Sequence, residues 1–414
     1  MTDRVLGSLR TDRVLSHLRA ALGRDGPEGA RSDAALRLRL RLEPAGGEGA
    51  KMMPPTYVGE TGPIYIHERR PIEGELRECV LLDSVASQAN RMEEALNQRI
   101  LAGEDPVPTI LVDQGEFGCN SALEFSHRCF DAWVEDALLD GAAFGQSESY
   151  RQLASVVSRH TATPLMERFP VGLILGCWAS RRKNPQGTTR IARALTSEIL
   201  AVDAEPGEAP SSKIDRHHVS AAIRVYESAD AGQRLTLDPE QAVKNVKGEP
   251  TPFAGGKPSE AGYGNVTPKR AEVGGISMGY ALQLAVLSLP ALRECRFPHD
   301  GASATERDVA GRVMLAALAI RMLALQVEHG YDLRSGCLLV PREEPTLELV
   351  GRLGATVTAW PIDQIDAHGL LATAIDAGRE QGLDWSGQRI ELVASEAQLE
   401  LLRQSLAQVT TETA

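Results

Sequence analysis

Aromatic residues are scarce in this chain: Phe, Trp and Tyr together make up 4% of its 414 residues. A surface that reads nucleobases through many aromatic side chains is therefore not expected. The sequence also lacks any apolar run of the roughly 18 to 20 residues that a membrane span requires. The N-terminal segment MTDRVLGSLRTDRVLSHLRAALG carries charges where a secretory signal peptide has its apolar centre. We therefore expect a cytoplasmic protein that has no membrane partner.

Recognised metal and catalytic motifs are missing as well. The six cysteines lie far apart, with no Cys-x-x-Cys pair and no Cys/His spacing typical of zinc sites. FAGGKPS lacks the first glycine and the hydroxyl residue of a phosphate-binding loop, and GYGNVTP lacks the third glycine of a dinucleotide-binding loop. No Gly-x-Ser-x-Gly or His-Glu-x-x-His motif occurs. We expect reduced, mostly buried thiols, and no metal, cofactor or catalytic residue.

Positive charge is concentrated in a few segments, although the formal net charge is -12. The stretch SRRKNPQGTTRIARALTSE contains Arg181, Arg182, Lys183, Arg190 and Arg193 ahead of its first acid. We predict that a buried strand in FPVGLILGCWAS leads into this stretch. Within the stretch we predict a turn and then a helix that carries Arg190 and Arg193 on one face. Arginine forks and helix N-terminal amides suit phosphate oxygens, which favours sequence-independent binding of a nucleic-acid backbone. A solvated, charged turn is the alternative interpretation.

A second basic cluster lies between residues 203 and 275, where the periodic patterns are lost and Gly and Pro are frequent. Long irregular segments inside compact domains are usually functional or disordered. Several acidic residues dilute this cluster, whose basic residues are Lys244, Lys247, Lys257, Lys269 and Arg270.

The rest of the chain mixes strand and helix patterns. ALRLRLRLEP alternates Leu with Arg, which predicts a strand with one buried face and one cationic face. VLLDSVASQANRMEEALNQRILAG predicts a strand, an N-cap at Asp83 or Ser84, and a helix that ends at Gly103. Helices are also predicted in HRCFDAWVEDALLDG, in ISMGYALQLAVLSLPALREC, and from a Ser303–Glu306 capping box to Gly330. GCLLVP, ATVTAW and RIELVA predict strands, so an α+β fold is favoured over a doubly wound α/β fold.

Seven segments of the chain resemble one known protein family, and they occur in the order expected for it. They are KMMPPTYVG, YIHERRP, LLDSVASQANRMEEAL, SHRCFDAWVEDALLDGAAF, GCWASRRKNPQGTTRIARALTSEI, GYGNVTPKRAEVGGISMGYALQLAVLSLPALRECRFP and LVPREEPTLELV. Together they are similar to the backbone subunit of type I-G (formerly I-U) CRISPR effector complexes, or Cascade, in the RAMP superfamily. The similarity spans roughly residues 30–350, and the string from Asp83 to Glu94 is its most specific part.

The resemblance implies an RRM-like, ferredoxin-like core that insertions elaborate into a hand shape with palm, fingers and thumb. We accordingly expect an N-terminal helical segment over residues 1–30 and a single core domain over residues 31–405. The irregular insertion of residues 203–275 would then be the candidate thumb, and residues 406–414 a tail.

The resemblance also implies a function in antiviral defence. Several copies of such a subunit polymerise along one CRISPR guide RNA, together with other effector-complex subunits. The guide then pairs with target DNA, which a separate, recruited helicase-nuclease cleaves, so the subunit itself would not be an enzyme. A guide of arbitrary sequence is better held by arginine contacts to its backbone than by base reading, which fits the low aromatic content.

Expected guide contacts follow residue by residue. The five basic residues of the SRRKNPQGTTRIARALTSE stretch come first. The family motif then suggests Gln88, Asn90, Arg91, His127 and Arg128, although Asn90 could instead satisfy buried backbone and Arg91 could pair with Glu94. The candidate thumb contributes Lys244, Lys247, Lys269 and Arg270.

Two other functions remain open at this stage. A metal-independent ribonuclease of the related RNA-processing group could use His67, His127 or His217 as a general base, since arginines lie close in sequence to His67 and His127. A small-molecule enzyme that uses the long irregular segment as a lid would need a ligand motif, and the sequence contains none that we recognise.

Overall fold

A computed structural model describes residues 3–23, 33–60, 62–180, 189–207, 210–213, 216–263, 266–270, 274–299 and 304–413 of the chain. The helices are α1 (Asp3–Leu22), α2 (Val85–Leu101), α3 (Ala132–Glu135), α4 (Glu148–Ala154), α5 (Thr163–Arg168), α6 (Val171–Leu175), α7 (Leu289–Arg293), α8 (Thr305–His329), α9 (Ala367–Glu380) and α10 (Glu396–Thr413). The strands are β1 (Ala35–Pro44), β2 (Tyr57–Val58), β3 (Pro63–Ile64), β4 (His67–Ile72), β5 (Glu75–Asp83), β6 (Thr109–Asp113), β7 (Cys119–Ser121), β8 (Leu138–Leu139), β9 (Ala142–Ala143), β10 (Cys177–Trp178), β11 (Arg190–Ile191), β12 (Leu195–Val202), β13 (Glu205–Pro206), β14 (Pro210–Lys213), β15 (Tyr226–Glu227), β16 (Leu235–Thr236), β17 (Val266–Arg270), β18 (Ile276–Ser277), β19 (Tyr280–Ser288), β20 (Tyr331–Arg334), β21 (Cys337–Pro341), β22 (Thr346–Val350), β23 (Thr356–Pro361) and β24 (Arg389–Val393). The predicted α+β class is confirmed.

The chain divides into two compact units. The first comprises Met1–Pro55, His67–Ala204 and Met278–Arg403, and the second comprises Thr56–Ile66, Glu205–Ser277 and Gln404–Ala414. The larger sheets and the helices α2 and α8 belong to the first unit. The predicted irregular insertion, residues 203–275, corresponds closely to the longest part of the second unit.

The strand β1 has the two faces that its leucine–arginine alternation predicts. Leu36, Leu38, Leu40 and Leu42 are each exposed by 1% or less, whereas the arginines between them are on the opposite face. β1 pairs in antiparallel fashion with β19 along eight residues, and its other edge contacts β21 and β22. β1 is therefore a central strand whose leucine side forms part of the core.

The main sheet of the first unit has the strand order β20-β21-β1-β19-β12-β5-β4, and β22 and β23 continue it from β1. Its neighbouring strands are antiparallel. Among the elements of the chain, β1, α2, β12, β19, α8 and β21 occur in this order, and their four strands have the spatial order β21-β1-β19-β12. This is the split βαββαβ arrangement of ferredoxin-like domains. This strand order is consistent with the ferredoxin-like core that the resemblance implied, with large insertions between its elements.

The two core helices begin and end near the predicted positions. The Ser84 side chain accepts a hydrogen bond from the backbone N–H of Ser87 and caps α2, as expected. α8 ends at Gly330, whose φ of 89° suits glycine. The predicted capping box is wrong, because the N-cap is Ala304, which makes no side-chain capping bond.

Three predicted elements differ from the structure. ISMGYALQLAVLSLPALREC forms the strand β19 and then the short helix α7, because β19 pairs with β1 on one side and with β12 on the other. FPVGLILGCWAS forms the helix α6 and only then the strand β10. HRCFDAWVEDALLDG is limited to one turn around Arg128–Phe130 and the short α3. In each case tertiary packing, and not the local pattern, determines the element.

A smaller sheet in the first unit has the order β7-β6-β24-β8-β9, in which β6 and β24 are parallel. The predicted strands GCLLVP, ATVTAW and RIELVA are confirmed as β21, β23 and β24. The described strands of the second unit form two-stranded pairs, namely β2-β3, β13-β18, β14-β17 and β15-β16.

Candidate nucleic-acid interface

A two-stranded ribbon pairs β10, which precedes the basic stretch, with β11, which lies inside it. Trp178 lies opposite Arg190 in the antiparallel register, and Cys177 lies opposite Ile191. Cys177 and Ile191 face the interior with exposures of 6% and 5%. Trp178 is 50% exposed, and the Arg190 guanidinium lies 5.5 Å from the centroid of its ring. The ribbon therefore has one buried face and one exposed face with an aromatic–cation pair.

Gly176 makes the tight entry into this ribbon possible. Its φ is 82°, and a Cβ atom there would lie 2.8 Å from the Ile191 carbonyl oxygen and 3.2 Å from the Arg193 nitrogen. Such a conformation and such close contacts require glycine. The Gly176 carbonyl also accepts a hydrogen bond from the Arg128 side chain at 3.3 Å. The ribbon is thus fixed against the turn that contains Arg128.

Arg128 is an interior residue and not a surface cation. Its Nε and Nη2 atoms donate to the two carboxylate oxygens of Glu93 at 2.6 and 2.9 Å. Both side chains are largely buried, so this bidentate pair holds the Arg128 turn on α2. In this structure the predicted guide contact at Arg128 is engaged in an internal ion pair.

Arg193 is exposed near this pair but is not part of it. It makes no ion pair within the described part of the chain. Partial burial and the positive charge of Arg128 lower the pKa of Arg193, whereas Glu93 opposes that shift. An additional anion at this position would relieve the repulsion between the two arginines.

The predicted helix carrying Arg190 and Arg193 is wrong. Arg190 belongs to β11, and Arg193 lies in the extended connection to β12. The buried Arg159 explains this conformation, because its guanidinium donates to the Ala192 carbonyl at 2.6 Å and to the Leu173 carbonyl at 2.9 Å. These bonds hold the chain in an extended form. Arg181, Arg182 and Lys183 lie outside the described residues.

Gln88 and Arg91 on α2 make hydrogen bonds to other residues of the first unit. The Gln88 amide donates to Asp83 at 2.6 Å, and its oxygen accepts from Ser197 and Gln283. Gln88 is fully buried and is not available to contact RNA in this structure. Arg91 donates to Asp83 at 3.0 Å and also to the carbonyls of β20, instead of pairing with Glu94.

Gln283 connects the same network to the other core elements. Its amide nitrogen donates to Ser197 at 3.1 Å and to Gln326 at 2.8 Å, and its oxygen accepts from the Tyr331 hydroxyl at 2.8 Å. Burial raises the pKa of Tyr331, which keeps the hydroxyl protonated as the donor. α2, β12, β19, α8 and β20 are therefore joined by one buried hydrogen-bond network.

Asn90 and His127 are exposed in the first unit. The Asn90 side chain makes no hydrogen bond within the described residues, so it does not satisfy buried backbone as the alternative interpretation suggested. The His127 backbone N–H donates to Asp131 at 3.0 Å, while its ring is open to solvent. Both side chains remain accessible to a ligand.

The second unit carries the other predicted contacts. Lys244 donates to the Pro239 carbonyl at 2.7 Å and lies 3.8 Å from Glu240. Lys247 is exposed, and Lys269 and Arg270 belong to β17. The ribbon residues belong to the other unit.

The arginine face of β1 is largely balanced by carboxylates. Arg37 donates to Glu348 at 2.7 Å, and Arg41 pairs with Glu73. Arg39 is exposed and makes no ion pair within the described ranges. Most arginines on this face of β1 thus form ion pairs with carboxylates of the same chain, in contrast to those of the ribbon.

Sequence reasoning missed Trp178 as a surface group, because GCW was interpreted as part of a buried strand. A signal was present, since a tryptophan directly before a basic stretch is an unusual end for a core strand. Within the described residues, no cluster of three or more His, Cys, Asp or Glu side chains could hold a metal ion. No helix in that part of the chain is long and apolar enough to cross a membrane.

Comparison with known proteins gives a match to one protein family. No curated protein matches the chain. Residues 36–206 match the family model described as CRISPR-associated protein GSU0053. The matched segment includes α2, the Arg128 turn and the ribbon. Over residues 36–206 the chain is therefore similar to a CRISPR-associated protein family, which agrees with the resemblance seen in the sequence.

Proposed function

We propose that this chain is a non-catalytic, CRISPR RNA-binding backbone subunit of a type I-G effector complex. Several copies assemble along one guide RNA in the cytoplasm, beside other complex subunits. The assembled complex supports pairing of the guide with target DNA and recruits a separate helicase-nuclease. The observation that carries this proposal is the pair Arg190 and Arg193, exposed and without carboxylate partners in the described part of the chain, next to Arg181–Lys183 in the sequence.

A contrast with other arginines of the first unit supports this proposal. Arg37, Arg70 and Arg128 each form an ion pair with a glutamate. In a protein of net charge -12, arginines without such partners attract phosphate oxygens locally while the acidic remainder limits unspecific binding. Contacts of this kind hold the backbone and carry no sequence information. A guide of any sequence fits such a site.

Salt-dependent RNA binding tests the proposal. We would compare the wild type with the double variant Arg190→Gln/Arg193→Gln, using two fluorescently labelled single-stranded RNAs of unrelated sequence. Each lost phosphate contact reduces the slope of log Kobs against log salt by about 0.7 for single strands. We therefore expect weaker binding of both RNAs and a slope that is less steep by about 1.4.

Arg352→Gln is the matched control. Arg352 is also exposed and makes no ion pair within the described residues, but it lies in the turn between β22 and β23. Its loss should leave the slope unchanged, and circular dichroism should show that both variants are folded. If the ribbon variant binds with wild-type affinity and slope, the proposed site is wrong.

A further inference from the structure

Trp178 is exposed in a way that packing within the described residues does not explain. Of the four tryptophans, Trp385 is fully buried and donates its indole N–H to the Met166 carbonyl at 2.7 Å. Trp133 and Trp360 are partly buried. Trp178 is 50% exposed, and its indole makes no hydrogen bond within the described part of the chain. A large apolar ring held at the surface on a fixed ribbon is typical of a binding group.

We infer that Trp178 and Arg190 form a stacking site for one nucleobase of single-stranded RNA. This inference rests on the proposed function but adds a contact of a different kind. Phosphate contacts by arginine hold the strand, whereas the indole face would hold a base.

The register of the ribbon makes this pairing of contacts possible. Trp178 and Arg190 are directly opposite each other and point to the same exposed face, because Cys177 and Ile191 occupy the buried one. The guanidinium is planar, so it can lie over an aromatic ring while its N–H groups donate to a phosphate. A base and the adjoining phosphate can therefore be bound at one place.

The surrounding charge favours RNA over a protein partner. Arg193 is exposed beside the Gly176 entry to the ribbon, where a second anion-binding group is available. Arg190 makes no ion pair with a carboxylate in the described part of the chain, whereas a basic peptide would need a carboxylate to bind. Stacking is also tolerant of sequence, because every base has a π-face. A subunit that holds arbitrary guides can use such a contact without reading the base.

Binding of abasic RNA separates this inference from the proposed function. The probes are an oligonucleotide of about six nucleotides, within the usual site size for single-strand binding, and the matched ribose-phosphate strand without bases. Wild-type protein should bind the base-containing strand about 5- to 150-fold more tightly, the range expected for one stacked base. Trp178→Ala should bind the base-containing strand only as tightly as the abasic strand. Trp178→Phe should keep most of the wild-type preference for the base-containing strand.

Intrinsic fluorescence provides a second measurement. Since Trp178 is the exposed tryptophan among the four, stacking of a base should quench part of the emission, and Trp178→Phe should abolish that quenching. Trp360→Phe should retain it. Leu353→Ala, which truncates a side chain that is 87% exposed elsewhere, should leave the affinity for both strands unchanged.

Three results would overturn the inference. If Trp178→Ala binds the base-containing strand as tightly as wild type, the indole does not stack on RNA. If the variant keeps its RNA affinity but loses self-association in ultracentrifugation, Trp178 contacts a second copy instead. If wild-type protein binds neither strand, the proposed function fails together with this inference.

Discussion

The Arg128 turn and the ribbon lie next to each other, yet their arginines are in opposite states. Arg128 is buried and bound by both oxygens of Glu93, whereas Arg190 and Arg193 are exposed and without carboxylate partners in the described residues. Both regions belong to the segment that matches the CRISPR-associated family. A basic residue in a family motif can therefore stabilise the fold instead of binding a ligand, and its contacts show which of the two it does.

Removal of the buried cation should have the largest effect. Arg128→Ala leaves Glu93 buried without its partner, which should lower the free energy of unfolding by about 3–5 kcal/mol. Urea denaturation followed by circular dichroism measures this change. Arg193→Ala is the matched comparison and should change stability by no more than about 0.5 kcal/mol. Equal losses for the two variants would remove the distinction between the turn and the ribbon.

A smaller effect should separate two neighbours on α2. Gln88→Ala leaves buried partners such as Asp83 and Ser197 with fewer hydrogen bonds, and should cost about 1–3 kcal/mol of stability. Its RNA affinity, measured where the variant remains folded, should equal that of the wild type. Asn90→Ala should leave stability within about 0.5 kcal/mol, because its side chain is exposed. A stable Gln88→Ala protein with impaired RNA binding would contradict the structural role of Gln88.

The smallest expected effect concerns the exposed histidines. If the chain is a non-catalytic subunit, purified protein should not cleave guide-repeat RNA, with or without a metal chelator. His67→Ala and His127→Ala should then behave as the wild type in a gel-based cleavage assay. Cleavage that either substitution abolishes would favour the metal-independent ribonuclease and would give the Arg128 turn a catalytic neighbour.

Sequence patterns were sufficient where polar and apolar residues alternate or where a capping residue is present. The alternation in β1 and the cap of α2 at Ser84 are local signals, and both are confirmed. β19 was mistaken for a helix because the face opposite its buried one also carries apolar residues, Leu282, Leu284 and Val286, so the sequence does not show the two-residue period. Long-range contacts also determine the conformation after the ribbon, because Arg159, 33 residues earlier in the chain, donates a hydrogen bond to the Ala192 carbonyl.

The candidate site was predictable only in part for the same reason. Clustering of basic residues indicated the stretch that contains Arg190 and Arg193, but composition cannot show which arginines face carboxylates. The partners of Arg91 and Arg128, namely Asp83 and Glu93, come together through the fold of α2 against its neighbours. Exposure of Trp178 follows from the register of a two-stranded ribbon, which a single-residue slip would reverse.

The hydrogen-bond network around Gln283 also determines how the main sheet is aligned. Gln283 lies between Leu40 of β1 and Ile199 of β12, on the same face as the leucines that enter the core. A slip of β19 by one residue would turn Gln283 away and leave Ser197, Gln326 and Tyr331 without it, while a neighbouring leucine took its place. An apolar strand such as β19 could otherwise pair in more than one alignment. One buried polar side chain therefore specifies the alignment of β19 in the main sheet.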